Sequence, residues 1–318
     1  ITTSNGVVTW WCFEQGSGNS GLYLGDKLAA QNIIVVTLNY RLGILATLAT
    51  HSQEGNYAMQ DQRKAMEFVS RNIQKFGGDP QKITLAGQSA GAMSVGGHLL
   101  SQKSEGLFQA AIMESNPLSL PFNDRTLVSD KMVKYVQKST KCSDKKDDDV
   151  FLQCLRNMTT EEILSTQDSV KKHYNIKNVF DNFLHFAPLV DPEGNDLKIQ
   201  PLKGLQNNAY RKMPIITGSN LEDGFLFVME IFPKPLKKLE YDLALETVFG
   251  YSKGKNIKKK YPASSAASED DLRPLIGQIA TDVLFHCSIR NASIASLEAQ
   301  DQQQSSTIDL YNYVFSQC

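Results

Sequence analysis

The residues best suited to do chemistry in this sequence are Gly87-Gln88-Ser89-Ala90-Gly91. A serine with glycine two places before and two places after has the G-x-S-x-G form of a nucleophile elbow. There the chain turns sharply from a strand into a helix, and side chains at the two glycine positions would collide across the turn. The chemistry of such a site is acyl transfer by the serine hydroxyl, with the backbone N–H of Ala90 and the helix N-terminus facing the developing oxyanion. A glycine-rich bend with a solvent-facing serine is the plain alternative. The flanking sequence favours the elbow, because Lys82 to Ala86 (KITLA) reads as a strand and Ala90 to Leu100 as a helix.

A serine hydroxyl is a weak nucleophile at neutral pH and needs a base, and the base needs an orienting acid. In this architecture the chain order is Ser, then Asp or Glu, then His. Gly218-Ser219-Asn220-Leu221-Glu222-Asp223-Gly224 follows a strand, Met213 to Thr217, so Glu222 and Asp223 are the acid candidates. The histidines are His51, His98, His173, His185 and His286. His98 lies on the serine's own helix, ~13 Å along its axis at ~1.5 Å per residue, too far to act as the base. Only His286 follows the acid, and it sits within a helical pattern (ATDVLFHCSIR) where a packed or surface histidine is expected. The sequence therefore supplies a nucleophile and an acid but no evident base.

Other reactive residues carry less. Cys12, Cys142, Cys154, Cys287 and Cys318 form no C-x-x-C pair, so zinc and thioredoxin patterns fail and no metal site is expected. Cys142 and Cys154 bracket a short charged loop whose closure by a disulfide would contribute ~3 kcal/mol in the entropic account; spacing leaves the paired and unpaired states open. Asp147-Asp148-Asp149 lacks the alternating ligands and glycine of a calcium loop and reads as a solvated face. Lys253, Lys255, Lys258, Lys259 and Lys260 read as a helix surface rather than a nucleic-acid module.

The elements that must position the site alternate. Val7 to Trp11, Ile33 to Asn39, Ala110 to Met113 and Thr307 to Phe315 are further expected strands, the second buried on both faces. Ala58 to Phe76 is an amphipathic helix with Met59, Met66, Val69 and Ile73 on one face, ended by Gly77-Gly78-Asp79-Pro80. Asp124 to Ser139, Glu161 to Val170, Asp242 to Val248 and Asp271 to Leu297 are expected helices, the last interrupted near Pro274 and near Cys287. Strand, helix, strand in this rhythm predicts a mainly parallel central sheet flanked by helices, with a helical, cap-like middle region. The 318 residues have 33 basic and 34 acidic side chains and a net charge of −1, which provides no general pull toward nucleic acid or anionic membrane. No stretch reaches the ~18 apolar residues of a transmembrane helix. The chain opens on Ile1 without a visible signal peptide and is read as one α/β domain over 1–318.

Several segments together resemble the type-B carboxylesterase family, which includes the cholinesterases. Leu38-Asn39-Tyr40-Arg41-Leu42-Gly43 is similar to its N-Y-R-x-G segment, and Gly55-Asn56-Tyr57 with Asp61-Gln62-Arg63 to its G-N-x-x-x-x-D-Q run. Phe76-Gly77-Gly78-Asp79-Pro80 followed by Gly87 to Ala92 is close to its most specific signature, and Phe186-Ala187-Pro188-Leu189-Val190-Asp191 resembles its F-x-P-V-x-D segment. The resemblance implies an α/β-hydrolase fold and hydrolysis of small carboxylic esters with no metal or organic cofactor. It implies Ser89 as nucleophile, Asp223 as acid with Glu222 beside it, and Ala90 as an oxyanion donor. It also implies a Cys142–Cys154 disulfide, and a partner for Cys287 beyond Cys318. Members are often secreted or vesicular, and Asn157-Met158-Thr159 and Asn291-Ala292-Ser293 are glycosylation sequons compatible with that.

Three departures qualify the expected activity. The family's Gly-rich stretch after its early strand is replaced by Trp10-Trp11-Cys12-Phe13-Glu14-Gln15-Gly16, and loss of an oxyanion donor costs ~10²–10³ in rate. Gln88 stands where the family often has Glu. The chain ends before the segment that carries the family's catalytic histidine, and its early strands before Ile1 are not present. Weak or absent turnover is expected of these residues alone, and a non-catalytic binding, adhesion or storage role is the competing expectation.

Overall fold

A computed structural model describes residues 3–10, 13–21, 24–117, 120–143, 147–173, 185–194, 196–207, 209–268, 270–303 and 309–316. Six strands form the main sheet: β1 (Thr3–Trp10), β2 (Ile33–Thr37), β3 (Ile83–Ser89), β4 (Ala110–Glu114), β7 (Ile215–Asn220) and β8 (Leu310–Phe315). Their spatial order is β2-β1-β3-β4-β7-β8, and every neighbouring pair is parallel. Two short strands, β5 (Asn123–Asp124) and β6 (Leu189–Val190), pair separately.

Parallel strands need crossovers, and helices supply them. Tyr57–Asn72 and Ala90–Leu100 flank β3 in the chain, and Cys287–Gln303 precedes β8. Met66, Val95, Leu99, Ala292 and Ala295 from these helices meet Ile83, Leu85, Ala111, Met113 and Ile215 from the strands in one buried cluster. A second cluster joins Met59, Ala90 and Met93 to the middle region through Cys142, Phe151, Leu155, Val170 and Phe186. Cys142 and Cys154 are disulfide-bonded, tying the start of that region to the helix Asp148–Arg156. Asp147 caps this helix, its carboxylate accepting from the N–H groups of Asp149 and Val150, so one member of the acidic run has a local structural task.

The family-like segments act as braces. Arg41 holds Asp61 through Nε and Nη2 at 2.7 and 2.6 Å. Gln62 Oε1 lies 2.9 Å from Nε2 of the fully buried His98, whose Nδ1 meets Ser104 Oγ at 2.8 Å. Arg63 donates to both oxygens of Asp196 at 2.7 and 2.6 Å. Asn56, in the left-handed region with φ +54°, exchanges two hydrogen bonds with the backbone of Leu189 and pins the Phe186–Asp191 segment. Three consecutive side chains, Asp61, Gln62 and Arg63, thus secure three different parts of the fold.

Some expectations are corrected. Ile33–Thr37 is half-buried along its length rather than fully buried, because β2 lies at the edge of the described sheet. Pro274 does not interrupt a helix. It sits in the first turn of Arg273–Thr281, where its missing N–H costs nothing. The expected break near Cys287 is a π turn, Asp282–His286, between two α-helical stretches. The helix expected over 124–139 also contains a π turn, Val128–Met132. Trp11, Cys12, Thr307, Ile308 and Cys318 lie outside the described residues.

Candidate active site

Ser89 closes β3 and serves as the N-cap of the helix Ala90–Leu100. Its backbone stands at φ +54°, ψ −118°, a strained conformation for a residue with a Cβ. Such strain persists where the surroundings over-determine it. Here β3 is flanked by β1 and β4, and every residue from Ala90 to Leu99 is buried. The N–H of Ala90 lies in the first turn of that helix, where no helical carbonyl is available to it. Register places Trp10, the last residue of β1, directly beside Ser89. Of the segment that follows, Phe13 is described, buried and in the left-handed region at φ +61°, its carbonyl accepting from the N–H of Gly43 at 2.8 Å.

The carboxyl ends of β3, β4 and β7 together enclose a cavity of about 310 Å³ lined by Gln88, Ser89, Ser115, Asn220, Glu222, Asp223, Leu226, Phe227 and Phe285. Ligands in open α/β sheets bind outside the carboxyl ends of the strands, and this cavity has that location. Phe227 and Phe285 stack with ring centroids 6.2 Å apart. They continue into a small cleft with Ala90, Met93, Pro117, Leu120 and Leu284, so the surface next to Ser89 is polar on the Asp223 side and apolar on the other.

Ser89 and Asp223 both line this cavity. Asp223 is half-buried and receives two hydrogen bonds from Asn220, backbone N–H to Oδ2 at 2.8 Å and side-chain amide to Oδ1 at 2.6 Å. Gly224 follows because the turn docks against backbone: a Cβ there would collide with the nitrogen of Thr281 and the carbonyl carbon of Ala280. Its N–H donates to Thr281 Oγ1 at 2.8 Å. Burial pushes Tyr313 of β8 up to about 12, with the nearby charges of Glu114 and Asp223 acting in the same direction. Desolvation also raises Glu114, which lies across from Gln88 on the neighbouring strand.

No histidine among the described residues lines this cavity. His98 is fully buried between Gln62 and Ser104, and burial pushes it down to about 3. His185 is near Glu14, whose carboxylate also takes Lys171 at 2.7 Å. His286 contacts Asp282 and Asn220 instead of Ser89. His51 is exposed. Sequence reasoning missed Ser115. It is buried, lies in the left-handed region at φ +51° and donates its N–H to the Gly218 carbonyl at 2.7 Å. Its signal was its place one residue past the strand next to β3, ahead of Pro117. Asn157 and Asn291, the sequon asparagines, are both exposed. Among the described residues no group of three or more His, Cys, Asp or Glu could hold a metal ion, and no helix is long and apolar enough to cross a membrane.

A parallel sheet with a strained serine at a strand-to-helix turn, and an acid at the end of a strand farther along, defines the α/β-hydrolase class. The sequence profile of the carboxylesterase family matches residues 11–318, and the chain belongs to that family. It is 33% identical over 305 residues to the crystal protein of Dictyostelium discoideum, covering 96% of this chain and 52% of that protein. It is 36% identical over 252 residues to carboxylesterase 5A of Canis lupus familiaris, covering 76% of this chain and 40% of that one. A solved PNB esterase superposes with a TM-score of 0.75 at 27% identity, over 98% of this chain and 59% of that chain. The chain spans about half the length of the curated relatives it matches.

Proposed function

We propose that the chain carries the nucleophile and acid of a serine carboxylic-ester hydrolase. Ser89 Oγ attacks the ester carbonyl while the N–H of Ala90 holds the oxyanion, a type of donor worth ~10²–10³ in rate. A histidine, oriented by Asp223, takes the serine proton and passes it to the departing alcohol. The same histidine then activates water, which releases the acid from the acyl-enzyme. That histidine is not found among the described residues that line the cavity, and the relatives' greater length leaves room for it elsewhere in a longer protein. The observation that carries this reading is the positive φ of Ser89 at the wall of the cavity it shares with Asp223. The substrate class is small carboxylic esters, with no metal or organic cofactor in the reaction. A secreted or vesicular setting is supported by the Cys142–Cys154 disulfide and by exposed Asn157 and Asn291, two candidates for glycosylation.

A second reading, binding without turnover, is motivated by the lack of a cavity-lining histidine among the described residues. Labelling with a fluorophosphonate decides between them. The hydrolase reading requires that a longer form supplying the histidine be labelled and that Ser89→Ala abolish the label; equal labelling of both removes Ser89 as nucleophile. An unlabelled longer form with no turnover of nitrophenyl esters supports the binding role.

A further inference from the structure

The proposed reaction leaves His286 unused, although it is the histidine that follows the acid in the chain. It ends the π turn Asp282–His286, set between the α-helical stretches Arg273–Thr281 and Cys287–Gln303. A π turn inside an otherwise α-helical run is rare and recurs at functional sites, where it re-aims the side chains it carries. Here it presents Leu284 and Phe285 to the apolar side of the Ser89 site. On the other side, His286 Nε2 lies 3.3 Å from the Asn220 carbonyl oxygen and Nδ1 lies 3.1 Å from Asp282 Oδ1.

Both partners only accept. A backbone carbonyl has no proton to give. Asp282 accepts from the Tyr261 hydroxyl on its other oxygen at 2.6 Å. A neutral imidazole has one N–H and satisfies one of the two contacts, whereas the imidazolium satisfies both. Asn220 in turn grips both oxygens of Asp223. The same helical run holds the neighbouring Gly224 through Thr281. The acid turn is thus clasped at two points, one permanent and one that depends on a proton.

We propose that His286 is a positioning residue. As an imidazolium it clasps Asn220 to the π turn and holds the Asp223 carboxylate at the cavity, so the turn is tighter when the ring carries both protons than when it carries one. Its consequence for ester cleavage rests on the assignment of Asp223 as the acid; the clasp itself rests on the contacts. The titratable groups around it are Asp282 on the π turn, Tyr261 beyond the helix Tyr251–Lys260, Cys287 next in the chain, and Glu222 and Asp223 on the turn. Tyr313 on the sheet feels the charges of both Asp223 and Glu114. None of these is a cation that could replace the ring as donor to Asn220.

Amide hydrogen exchange of the peptide spanning residues 218–226 tests the clasp, corrected for intrinsic rates and compared at about pH 5.5 and about pH 8. Protection in the unaltered chain is expected to fall about five-fold at the higher pH, the order of one net hydrogen bond. His286→Leu, which removes both ring donors, is expected to show the lower protection at both pH values, and His286→Gln, whose amide N–H can still donate to the Asn220 carbonyl, to lose the pH response. Equal protection at the two pH values in the unaltered chain, or a pH response surviving in His286→Gln, overturns the proposal. Fluorophosphonate labelling of a longer form that supplies the histidine keeps the two readings apart: an unreactive Ser89 there counts against the hydrolase, while the exchange data alone decide the clasp.

Discussion

Ser89 and Asp223, the proposed nucleophile and acid, sit at the same edge of the same sheet, on β3 and just beyond β7 with β4 between them, yet they are held by different physics. At the elbow the backbone is strained and the restraint is packing. The helix behind Ser89 is buried from Ala90 to Leu99, and its one histidine, His98, is locked between Gln62 and Ser104 without solvent. At the acid turn Leu221 and Glu222 are exposed, and the restraint is a few polar contacts from one helical run, Thr281 to Gly224 and His286 to Asn220. Packing resists displacement as long as the buried His98 stays neutral. Polar clasps at a boundary can be loosened by a single proton or a single hydroxyl. Strain is therefore placed where the interior can hold it, and adjustability where solvent can reach.

The largest effect expected from breaking this contrast comes from Gly224→Ala. The added methyl meets backbone rather than a movable side chain, so stability should fall by about 3 kcal/mol in urea denaturation. A loss below about 1 kcal/mol would show that the turn docks less closely on Ala280 and Thr281.

His98→Leu comes next, at about 2 kcal/mol near neutral pH, because it strips partners from buried Gln62 and Ser104. His98 also sets a pH dependence. Its folded value, about 3, lies below the ordinary 6.5, so the unfolded chain binds a proton that the folded chain refuses. The stabilisation is complete above that ordinary value and is lost as pH falls from 6.5 toward 3, at a slope of up to about 1.4 kcal/mol per pH unit. Denaturation midpoints across that window should show the slope in the unaltered chain and a flatter profile in His98→Leu. Identical profiles would mean that the interior of the elbow helix is wetter than the contacts imply.

Thr281→Val is smaller, about 1 kcal/mol, because it leaves the buried Gly224 N–H without its acceptor while keeping the side-chain shape. The smallest expected effect is the coupling between Thr281→Val and His286→Gln in a double-mutant cycle, about 0.5 kcal/mol, since both hold the same turn. Strict additivity would mean that the two contacts act independently and that the turn is not one mechanical unit.

The elbow is legible in the sequence because its determinants are contiguous. Gly87, Ser89 and Gly91 fall within five residues, and the strand before them and the helix after them follow directly. Sterics over so short a span leave the chain few alternatives. Asp223 is legible for a similar reason, as a carboxylate directly before a glycine at the end of a strand. The resemblance of short segments also locates Asp61, Gln62 and Arg63 without revealing what each one grips. Tertiary structure alone decided how the acid is held. The Gly224–Thr281 and Asn220–His286 contacts join residues 57 and 66 positions apart, and no local pattern encodes such pairs. It also decided that Ser115 reaches the cavity and that His286 belongs to a π turn, since both depend on how neighbouring elements pack. Local rules set which residues carry reactive groups, and the relative placement of elements distant in the chain sets which of those groups meet.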